Sequence, residues 1–533
     1  MKFLTRILTN FVRDQSVERF IKFNLLKLNT SKSKNGKIVL IELGPYFTGI
    51  IALSYFTRIW YEKGFELVGY IPTMHRNFRS KILHATLSWV PIDNGKNYPY
   101  RIARSIGIRR FLIIKSSKKE DKLIKCRARA IMKLSKSEIL KYEVDGVRIG
   151  DLFYDWHLRH RNLVTLDFNN RALFKDLCYF LKYCAYWDLK LADESVSVVV
   201  ITHSVYLQGV PARIALNRNV EVLLVSYDRV FRLNKQLQHS DLEYKLYDSN
   251  SMNQLGYKID LQRAKVSFSN YILGNHNSFK IPGIVSGFEG LAKTVILNPL
   301  KKPTVLIAAH CFTDVPHMLG DFLFNDYWEW LIYICDTSKE IDYEWYIKPH
   351  PAFTDFEQSS FNKLLESYPN ITIIESSVSN KSIFSQGLDA VITVQGSIGF
   401  EAAMFGILSI CCSRNIPTQN YDFTLCAESK EDLNKLIKTI SVLKSEISYD
   451  KRKLYHFYDL HVVRKNNTWL FKSEGEKFFA KLKSYYEIFQ SPEVFNIWID
   501  EFYSEEIDQN RKAEARKFLE TSKYLLEIDL TKT

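Results

Sequence analysis

Short apolar segments alternate with helical patterns in two separate parts of this 533-residue chain. In the first part, the strand-like segments 37–42 and 66–71 flank a helical pattern at 50–63. In the second part, the segments 304–309 and 390–394 have the same apolar, β-branched character. Strands that alternate with helices form parallel sheets built from βαβ units. Because the chain is also too long for a single hydrophobic core, we predict two α/β domains of Rossmann type.

Changes in composition indicate where these domains begin and end. A polar stretch at 31–36 precedes the first strand, and an Asn-, Ser- and Gly-rich region near 275–303 precedes the second set of strands. The chain beyond Lys430 is helical and charged. We predict four parts: an amphipathic helical segment at 1–36, an N-terminal Rossmann-like domain at 37–300, a C-terminal Rossmann-like domain at 301–450, and a helical extension at 451–533.

The charge balance and the cysteines limit the classes of partner. The formal net charge of +14 fits an anionic membrane face or a polyanionic substrate. Residues 1–13 alternate apolar and basic side chains at helical spacing, which favours an amphipathic helix over a cleaved signal peptide. The eight cysteines form no CxxC pair, so we expect reduced thiols in the cytoplasm and no metal site. No nucleic-acid-binding motif is present, and we expect no nucleic-acid partner.

An acidic, glycine-containing segment at 144–155 contains the candidate catalytic carboxylates. Asp145, Asp151 and Asp155 lie within eleven residues, and we predict a loop here because of the glycines between them. If the chain transfers a sugar, we expect one of these carboxylates to deprotonate an acceptor hydroxyl or to act as a nucleophile. The alternative is turn formation, since Asp and Gly are both favoured in turns.

The candidate donor site spans two turns in the second half of the chain. Lys348 and His350, before Pro351, follow a strand-like segment and lie two positions apart, which places them on one side of an extended chain. The next such turn contains Gly396 and Ser397, with Glu401 one helical turn further on. Positive charge and free N–H groups at the ends of parallel strands suit a departing phosphate, and Glu401 suits the hydroxyls of a ribose.

Further cleft candidates follow two other strands. His203 and Tyr206 come after the strand-like segment 196–202, and the alternative for His203 is a hydrogen-bonded structural role. His310, Asp314 and His317, around a proline-containing turn, come after the segment 304–309. We interpret this second group as a hydrogen-bonding cluster on the wall of the cleft, because its spacing lacks a fourth metal ligand.

The motifs Lys348–Pro351 and Thr393–Gly406, supported by Ile307–His310 and Gly150–Asp155, resemble the capsule polysaccharide biosynthesis family of two-domain glycosyltransferases. They are more distantly similar to bacterial sialyltransferases. The resemblance implies a GT-B-like α/β fold, with two Rossmann-type domains facing across a cleft. It also implies that His350 and Ser397 contact the donor phosphate and that Glu401 contacts the ribose.

We therefore expect a nucleotide-sugar-dependent glycosyltransferase that needs no further cofactor. The favoured donor is a CMP-linked acidic sugar, and the expected acceptor is a capsule or lipopolysaccharide glycan or a lipid-linked acceptor. We expect a cytoplasmic protein, peripheral at the inner face of the membrane. The alternatives are a polyol-phosphate transferase or nucleotide-sugar epimerase of the same fold, and a non-enzymatic polyanion-binding protein.

Overall fold

The structure is a computed structural model that describes residues 14–28, 34–44, 46–74, 98–114, 120–246, 259–273, 287–288, 297, 302–466, 468–472, 474–482 and 491–526. The amphipathic pattern predicted at 1–13 and most of the linker near 275–303 lie outside these residues.

The N-terminal domain is built around a six-stranded sheet with the order β3-β2-β1-β6-β7-β8. All neighbouring strands are parallel except β7 and β8, which are antiparallel. The strands of this domain, including the separate β4–β5 hairpin, are β1 (Ile38–Glu42), β2 (Glu66–Tyr70), β3 (Arg110–Leu112), β4 (Glu143–Val144), β5 (Val147–Arg148), β6 (Val196–Ile201), β7 (Glu221–Val225) and β8 (Val230–Leu233).

The C-terminal domain repeats this arrangement in a second six-stranded sheet, all parallel, with the order β11-β10-β9-β12-β13-β14. Its strands are β9 (Thr304–Ala308), β10 (Glu344–Lys348), β11 (Ile371–Ile373), β12 (Ala390–Thr393), β13 (Leu408–Cys411) and β14 (Leu425–Cys426). Both sheets therefore follow the doubly wound order 3-2-1-4-5-6, with a topological switch point between the first and fourth strands.

Helices cover both faces of each sheet. The α-helices of the described residues are α1 (Gln15–Lys27), α2 (Phe47–Glu62), α3 (Tyr98–Ser105), α4 (Asp121–Ile131), α5 (Lys136–Leu140), α6 (Gly150–Arg161), α7 (Arg171–Leu191), α8 (Tyr206–Asn217), α9 (Leu261–Ile272), α10 (Tyr327–Glu340), α11 (Asp355–Leu365), α12 (Asn380–Phe384), α13 (Ile398–Met404), α14 (Lys430–Lys438), α15 (Ile440–Glu446), α16 (Lys451–His461), α17 (Gly475–Phe479), α18 (Glu493–Ile497) and α19 (Glu505–Leu519).

Alternate residues of the central strands point into different cores, as the two-residue period of a strand requires. In β1, Leu40 belongs to the cluster that includes α7, whereas Val39 and Ile41 belong to the cluster that includes α2. Both faces of the strand are buried, which explains why its sequence is continuously apolar up to Glu42. The predicted α/β class with two Rossmann-type domains is confirmed.

One local prediction differs from the structure. The loop predicted through Asp151 and Asp155 is wrong, because Gly150–Arg161 is a helix in which both carboxylates are buried. Gly150 is essential at its start, since a Cβ there would lie 1.8 Å from the carbonyl oxygen of Ile139. The antiparallel edge strand β8 was not predicted from the sequence.

The C-terminal part of the chain returns to the N-terminal domain. Side chains of 469–526 share one core with α1, α2 and the sheet. A buried bidentate ion pair joins Arg58 of α2 to Asp508 of α19, with N–O distances of 2.8 and 3.0 Å. Leu525 bridges to Phe231 of β8 in antiparallel fashion. The predicted domain boundaries stay predictions.

None of the helices in the described part of the chain combines the length and the apolar character needed to cross a membrane.

Candidate functional site

The topological switch point of the C-terminal sheet lies between β9 and β12, where the chain continues into His310 and into the turn at 394–397. The Nε2 atom of His310 lies 2.9 Å from Thr393 Oγ1, and it accepts from the backbone N–H groups of Val394 (3.3 Å) and Gln395 (3.4 Å). His310 therefore connects the ends of β9 and β12. Because Nε2 accepts hydrogen bonds, the ring proton is assigned to Nδ1.

The surroundings of His310 keep its imidazole neutral. Burial lowers the pKa of His310 to about 3, and the nearby His350 acts in the same direction. The ring stacks on Tyr327 at a centroid distance of 4.6 Å. Because Nε2 is occupied, His310 is suited to holding the 394–397 turn in place rather than to donating a proton from that atom.

Gly396 allows the turn to approach this histidine closely. A Cβ at Gly396 would lie 2.9 Å from Thr393 Oγ1 and 3.4 Å from His310 Cε1. Its backbone N–H donates to the same Thr393 hydroxyl at 3.3 Å. A larger residue would therefore displace the turn that carries Ser397.

His350 follows β10, the neighbour of β9 on the other side, and it is half-buried. Its Nδ1 accepts the backbone N–H of Ala352 (3.2 Å) and lies 3.1 Å from Cys311 Sγ, whose thiol donates to it. The remaining ring proton is thereby assigned to Nε2. Burial lowers the pKa of His350, so a neutral ring offers an N–H donor at Nε2. Such a donor suits a phosphate oxygen. The exposed Pro351 follows it in the turn.

Lys348, two positions before His350, contacts different groups. Its Nζ donates to Asn380 Oδ1 at 2.7 Å, and Asn380 Nδ2 donates to Glu401 Oε2 at 3.3 Å. Tyr271 of α9 donates to the other oxygen of Glu401 at 2.8 Å. Burial lowers the pKa of Lys348 to about 8, against the opposing charge of Glu401. The sequence pattern that identified Lys348 and Glu401 did not reveal Asn380 or Tyr271 between and beside them.

Ser397 and Glu401 lie at the start of the seven-residue helix α13. Ser397 is exposed, whereas Glu401 is 2% exposed. Burial raises the pKa of Glu401, while hydrogen bonds from Tyr271, Ser397 and Asn380 oppose that effect. Of the two, Ser397 is therefore the side chain that a ligand reaches first.

The three candidate carboxylates are separated by the structure. Asp145 is exposed in the turn between β4 and β5, where it and Gly146 have φ angles of 51° and 76°. Positive φ at both central residues is typical of a two-residue hairpin turn, for which Asp-Gly is a preferred pair. The geometry of Asp145 therefore agrees with the alternative of turn formation.

Asp151 forms a bidentate ion pair with Arg213, with N–O distances of 2.6 and 2.7 Å. Burial opposes the charged form of Asp151, but Arg213 and Arg148 outweigh it and lower its pKa. Both carboxylate oxygens are thus occupied by a cation of the same domain.

Asp155 contacts the C-terminal domain. Its Oδ1 lies 2.6 Å from His317 Nδ1, and its Oδ2 accepts the backbone N–H of His317 at 3.2 Å. The neighbouring Tyr154 donates to Asp326 at 2.6 Å across the same interface. Asp155 therefore joins the domains, and His317 belongs to a hydrogen-bonding cluster, as interpreted from the sequence.

The N-terminal switch point, between β1 and β6, contains a carboxylate that the sequence analysis did not identify as a site residue. Glu42 Oε1 accepts from the Thr202 hydroxyl at 2.6 Å, and Oε2 accepts from the Thr202 N–H at 3.2 Å. Burial raises the pKa of Glu42 to about 7, despite these hydrogen bonds. The available signal was a charged residue at the end of a fully apolar strand. The Glu42 contacts fix the position of the loop that continues into His203.

The two switch points face each other. The phenol of Tyr206, at the start of α8, donates to the carbonyl oxygen of Thr313 at 3.5 Å, and Thr313 lies in the loop after β9. On the solvent side, Arg159 of α6 forms an exposed ion pair with Asp314 at 3.3 Å. The loop is also anchored to α11, because the Glu357 carboxylate accepts the N–H of Thr313 at 3.0 Å. These contacts join the loops that follow the carboxyl ends of β6 and β9, one strand from each sheet.

Within the described residues, no group of three or more His, Cys, Asp or Glu side chains is arranged to hold a metal ion.

A scan against protein-family models finds no match for this chain, and no curated protein matches its sequence. Among solved structures, it is similar to the UDP-GlcNAc 2-epimerase of Methanocaldococcus jannaschii, bound to UDP-GlcNAc and UDP. The identity is 12%, the match covers 76% of this chain and 92% of that chain, and the TM-score is 0.24.

Two further solved structures are similar to this chain. MurG of Acinetobacter baumannii is 10% identical, with 80% of this chain and 95% of that chain covered and a TM-score of 0.22. The spinosyn rhamnosyltransferase SpnG is 12% identical, with 80% and 96% covered and a TM-score of 0.24. Similarities of this size carry no inference about activity, and the fold assignment above depends on the sheet topology of this chain.

Proposed function

We propose that this protein is a glycosyltransferase that takes a sugar from a nucleotide-sugar donor bound at the C-terminal switch point. The observation that carries the proposal is the contact between Tyr206 and Thr313, which joins the loops after the carboxyl ends of β6 and β9, one strand from each Rossmann-type sheet. Ligands of doubly wound sheets bind at such ends. A cleft between two of them suits a reaction that joins a donor held by one domain to an acceptor held by the other.

The donor phosphate is proposed to lie against His350 and Ser397. His350 provides an N–H donor at Nε2, since its Nδ1 is occupied by Ala352 and Cys311. Ser397 provides an exposed hydroxyl. Preorganised donors of this kind stabilise the negative charge that develops on a leaving phosphate. Gly396 and His310 act indirectly, by holding the turn that positions Ser397.

Lys348 and Glu401 are proposed to support the donor site from beneath. Both are buried and are linked through Asn380. The Lys348 charge favours a phosphate nearby, and Glu401 orients Ser397. A direct contact between Glu401 and a ribose would require Tyr271 or Asn380 to move, because these residues occupy its oxygens.

The acidic candidates are assigned different roles in this proposal. Asp151 and Asp155 each have a cationic or imidazole partner, and their role is to fix the helix α6 and the domain interface. Asp145 is exposed and serves the hairpin turn. None of these three carboxylates is proposed as the base in the arrangement described.

The favoured donor is a CMP-linked acidic sugar, and the favoured acceptor is a capsule or lipopolysaccharide glycan. The test is a screen of purified full-length protein with isotopically labelled CMP-, UDP- and GDP-sugars and a panel of tagged mono- and disaccharides. Transfer from a CMP-sugar, lost in His350→Ala, supports the proposal. Absence of both transfer and hydrolysis with every donor contradicts it.

The same screen separates the rival functions. An epimerase interconverts a free nucleotide-sugar without an acceptor, and a polyol-phosphate transferase releases CMP while phosphate appears on the acceptor. A non-enzymatic polyanion-binding protein binds with a steep salt dependence and is insensitive to His350→Ala.

Association with an anionic membrane face is proposed to use α4. Four basic residues recur along one exposed side of this helix and just beyond it, at Lys122, Lys125, Arg129 and Lys133. Leu123 beside them is 54% exposed. Basic charge with an apolar residue suits an anionic lipid surface. We expect co-sedimentation with phosphatidylcholine vesicles only when phosphatidylglycerol is added. This binding should be lost in K125E/R129E and retained in the control K435E/K438E.

A further inference from the structure

His203 occupies the ligand-binding edge of the N-terminal sheet. It lies two residues after the end of β6, which pairs directly with β1 at the N-terminal switch point. The preceding Thr202 is fixed by both oxygens of Glu42. Because β6 and β12 occupy the same place in their sheets, the position of His203 corresponds to that of Gln395, in the turn that carries Ser397 of the proposed donor site.

The loop that carries His203 has a strained backbone. Tyr206, three residues later, has a φ angle of 53°, in the left-handed region that bulky residues rarely adopt. Its hydroxyl contacts Thr313 of the opposite domain, so the strain accompanies a contact across the cleft. The same loop buries Ser204 Oγ, which has no hydrogen-bond partner within the described residues. Backbone strain of this kind, which the surrounding structure holds in place, is concentrated at functional sites.

The imidazole of His203 differs from those of the other cleft histidines. At least one ring nitrogen of each of His310, His317 and His350 contacts a protein atom. In the part of the chain that the structure describes, no hydrogen bond or ion pair occupies either nitrogen of His203. Its ring is half-buried, with centroids 6.5 Å from Tyr206 and 6.3 Å from His239. His239 Nε2 is likewise buried without a described partner.

The protonation state of His203 limits what it can do. Burial lowers the pKa of His203 to about 4, and His239 and Arg159 act in the same direction, while Asp241 and Asp314 oppose it. At neutral pH the ring is therefore uncharged. An uncharged imidazole with an unprotonated nitrogen can take up a proton. Negative charge on a bound donor would raise its pKa and so strengthen it as a base.

We propose that His203 is the general base that deprotonates the acceptor hydroxyl, with His239 and Ser204 on the acceptor side of the cleft. The inference rests on the proposed glycosyl transfer and deepens it. As the acceptor oxygen forms its bond to the anomeric carbon, its proton moves to the free imidazole nitrogen. The bond between the anomeric carbon and the phosphate oxygen breaks, and the nucleotide leaves with that electron pair. The imidazolium then returns the proton to solvent.

The test compares His203→Gln and His203→Ala with the wild-type chain. General base catalysis contributes about 10²–10⁴-fold to a rate, so transfer should fall by that factor. Nucleotide affinity, measured by calorimetric titration with CMP and UDP, should stay within about twofold, since His203 lies on the acceptor side. Added imidazole should restore part of the rate of His203→Ala. The control His456→Gln, on α16, should transfer at the wild-type rate.

The pH profile and the donor titration separate this inference from the proposed function. The acidic limb of the wild-type profile of transfer should disappear in His203→Gln, whose residual rate no longer depends on imidazole ionisation. If wild-type protein transfers sugar and His203→Gln does so at an equal rate, the general-base assignment is overturned while the proposed function stands. If the wild-type chain neither binds nucleotide nor transfers sugar, the proposed function fails first.

Discussion

His317 Nδ1 lies 2.6 Å from Asp155 Oδ1, and this contact joins the C-terminal domain to the N-terminal domain. The other ring nitrogen of His317, Nε2, is 2.9 Å from the carbonyl oxygen of Asn325. Both nitrogens face acceptors, which favours the doubly protonated ring. Burial lowers the pKa of His317, but Asp155 and Asp151 outweigh burial and raise it. The domain interface therefore contains a buried imidazolium–carboxylate pair.

Removal of the imidazole should weaken the interface strongly. Breaking a buried pair costs about 3–5 kcal/mol, because the remaining charge loses its partner. We expect His317→Gln to lower the free energy of unfolding by about that amount in denaturant titrations. The matched control is Arg159→Gln, which breaks an exposed ion pair across the same interface and should cost at most about 1 kcal/mol. Equal effects of the two substitutions would contradict the assignment.

The same pair predicts a pH dependence of stability. The pKa of His317 is higher in the folded chain than the ordinary value of about 6.5. Its contribution is therefore fully present below that value and is lost as the pH rises through the folded pKa. Thermal unfolding of the wild type should become easier from pH 6 to pH 9. In His317→Gln, the decrease of the melting temperature over this pH range should be smaller.

His350→Ala should weaken nucleotide binding. A hydrogen bond to a charged group contributes about 1.5–3 kcal/mol, which corresponds to a loss of affinity of about 10- to 150-fold. Cys311→Ser keeps a donor to Nδ1 and should bind CMP with nearly wild-type affinity, whereas Cys311→Val removes that donor and should have an intermediate affinity. Titration calorimetry checks all three, and unchanged affinity in His350→Ala would rule out the proposed phosphate contact.

Glu42→Gln should change how stability depends on pH. The folded pKa of Glu42 is about 7, above the ordinary value of about 4.5, so the folded chain binds more protons between these values. The contribution of Glu42 to the stability of the wild type therefore falls as the pH rises from 4.5 to 7. The neutral amide should remove that slope and raise stability at pH 8 by about 1–3 kcal/mol. Glu66→Gln, at the start of β2, is the control that should leave the slope unchanged.

Asp508→Ala should destabilise the N-terminal domain by about 3–5 kcal/mol, because it leaves Arg58 buried without its partner. The double substitution Arg58→Met/Asp508→Leu replaces both charges with apolar groups and should restore most of that loss. Chemical denaturation of the single and double variants measures the difference. A double variant as unstable as the single one would mean that packing, rather than the unpaired charge, sets the cost.

The architecture could be predicted from the sequence because each central strand is buried on both faces. Continuous apolar segments such as 38–42 and 390–393 therefore stand out, and the helices between them follow from spacing. The helix at Gly150–Arg161 could not be predicted in this way. Its buried carboxylates are compensated by Arg213 and His317, which lie 62 and 162 positions further along the chain.

The positions of the candidate site residues could be predicted from the sequence, but their hydrogen-bond partners could not. His310, His350 and Ser397 each follow a strand, and parallel strands bring such residues to one edge. The pairing of Glu401 with Tyr271 crosses 130 positions, and Tyr271 belongs to a helix that precedes the C-terminal sheet. Within the described residues, the ring nitrogens of His203 lack hydrogen-bond partners because of how the tertiary structure places its neighbours. No local sequence pattern encodes this placement.

The return of the last residues to the first domain has a consequence for synthesis on the ribosome. One core of the N-terminal domain packs Trp469, Trp498 and Phe518 against Val17, Tyr55 and their neighbours. This core cannot form until nearly the whole chain has left the ribosome. The C-terminal sheet, by contrast, is complete once Cys426 has left the exit tunnel. The C-terminal domain, although it is translated second, can therefore fold first. A fragment that stops before residue 469 exposes apolar surface, which chaperones bind and proteases cleave.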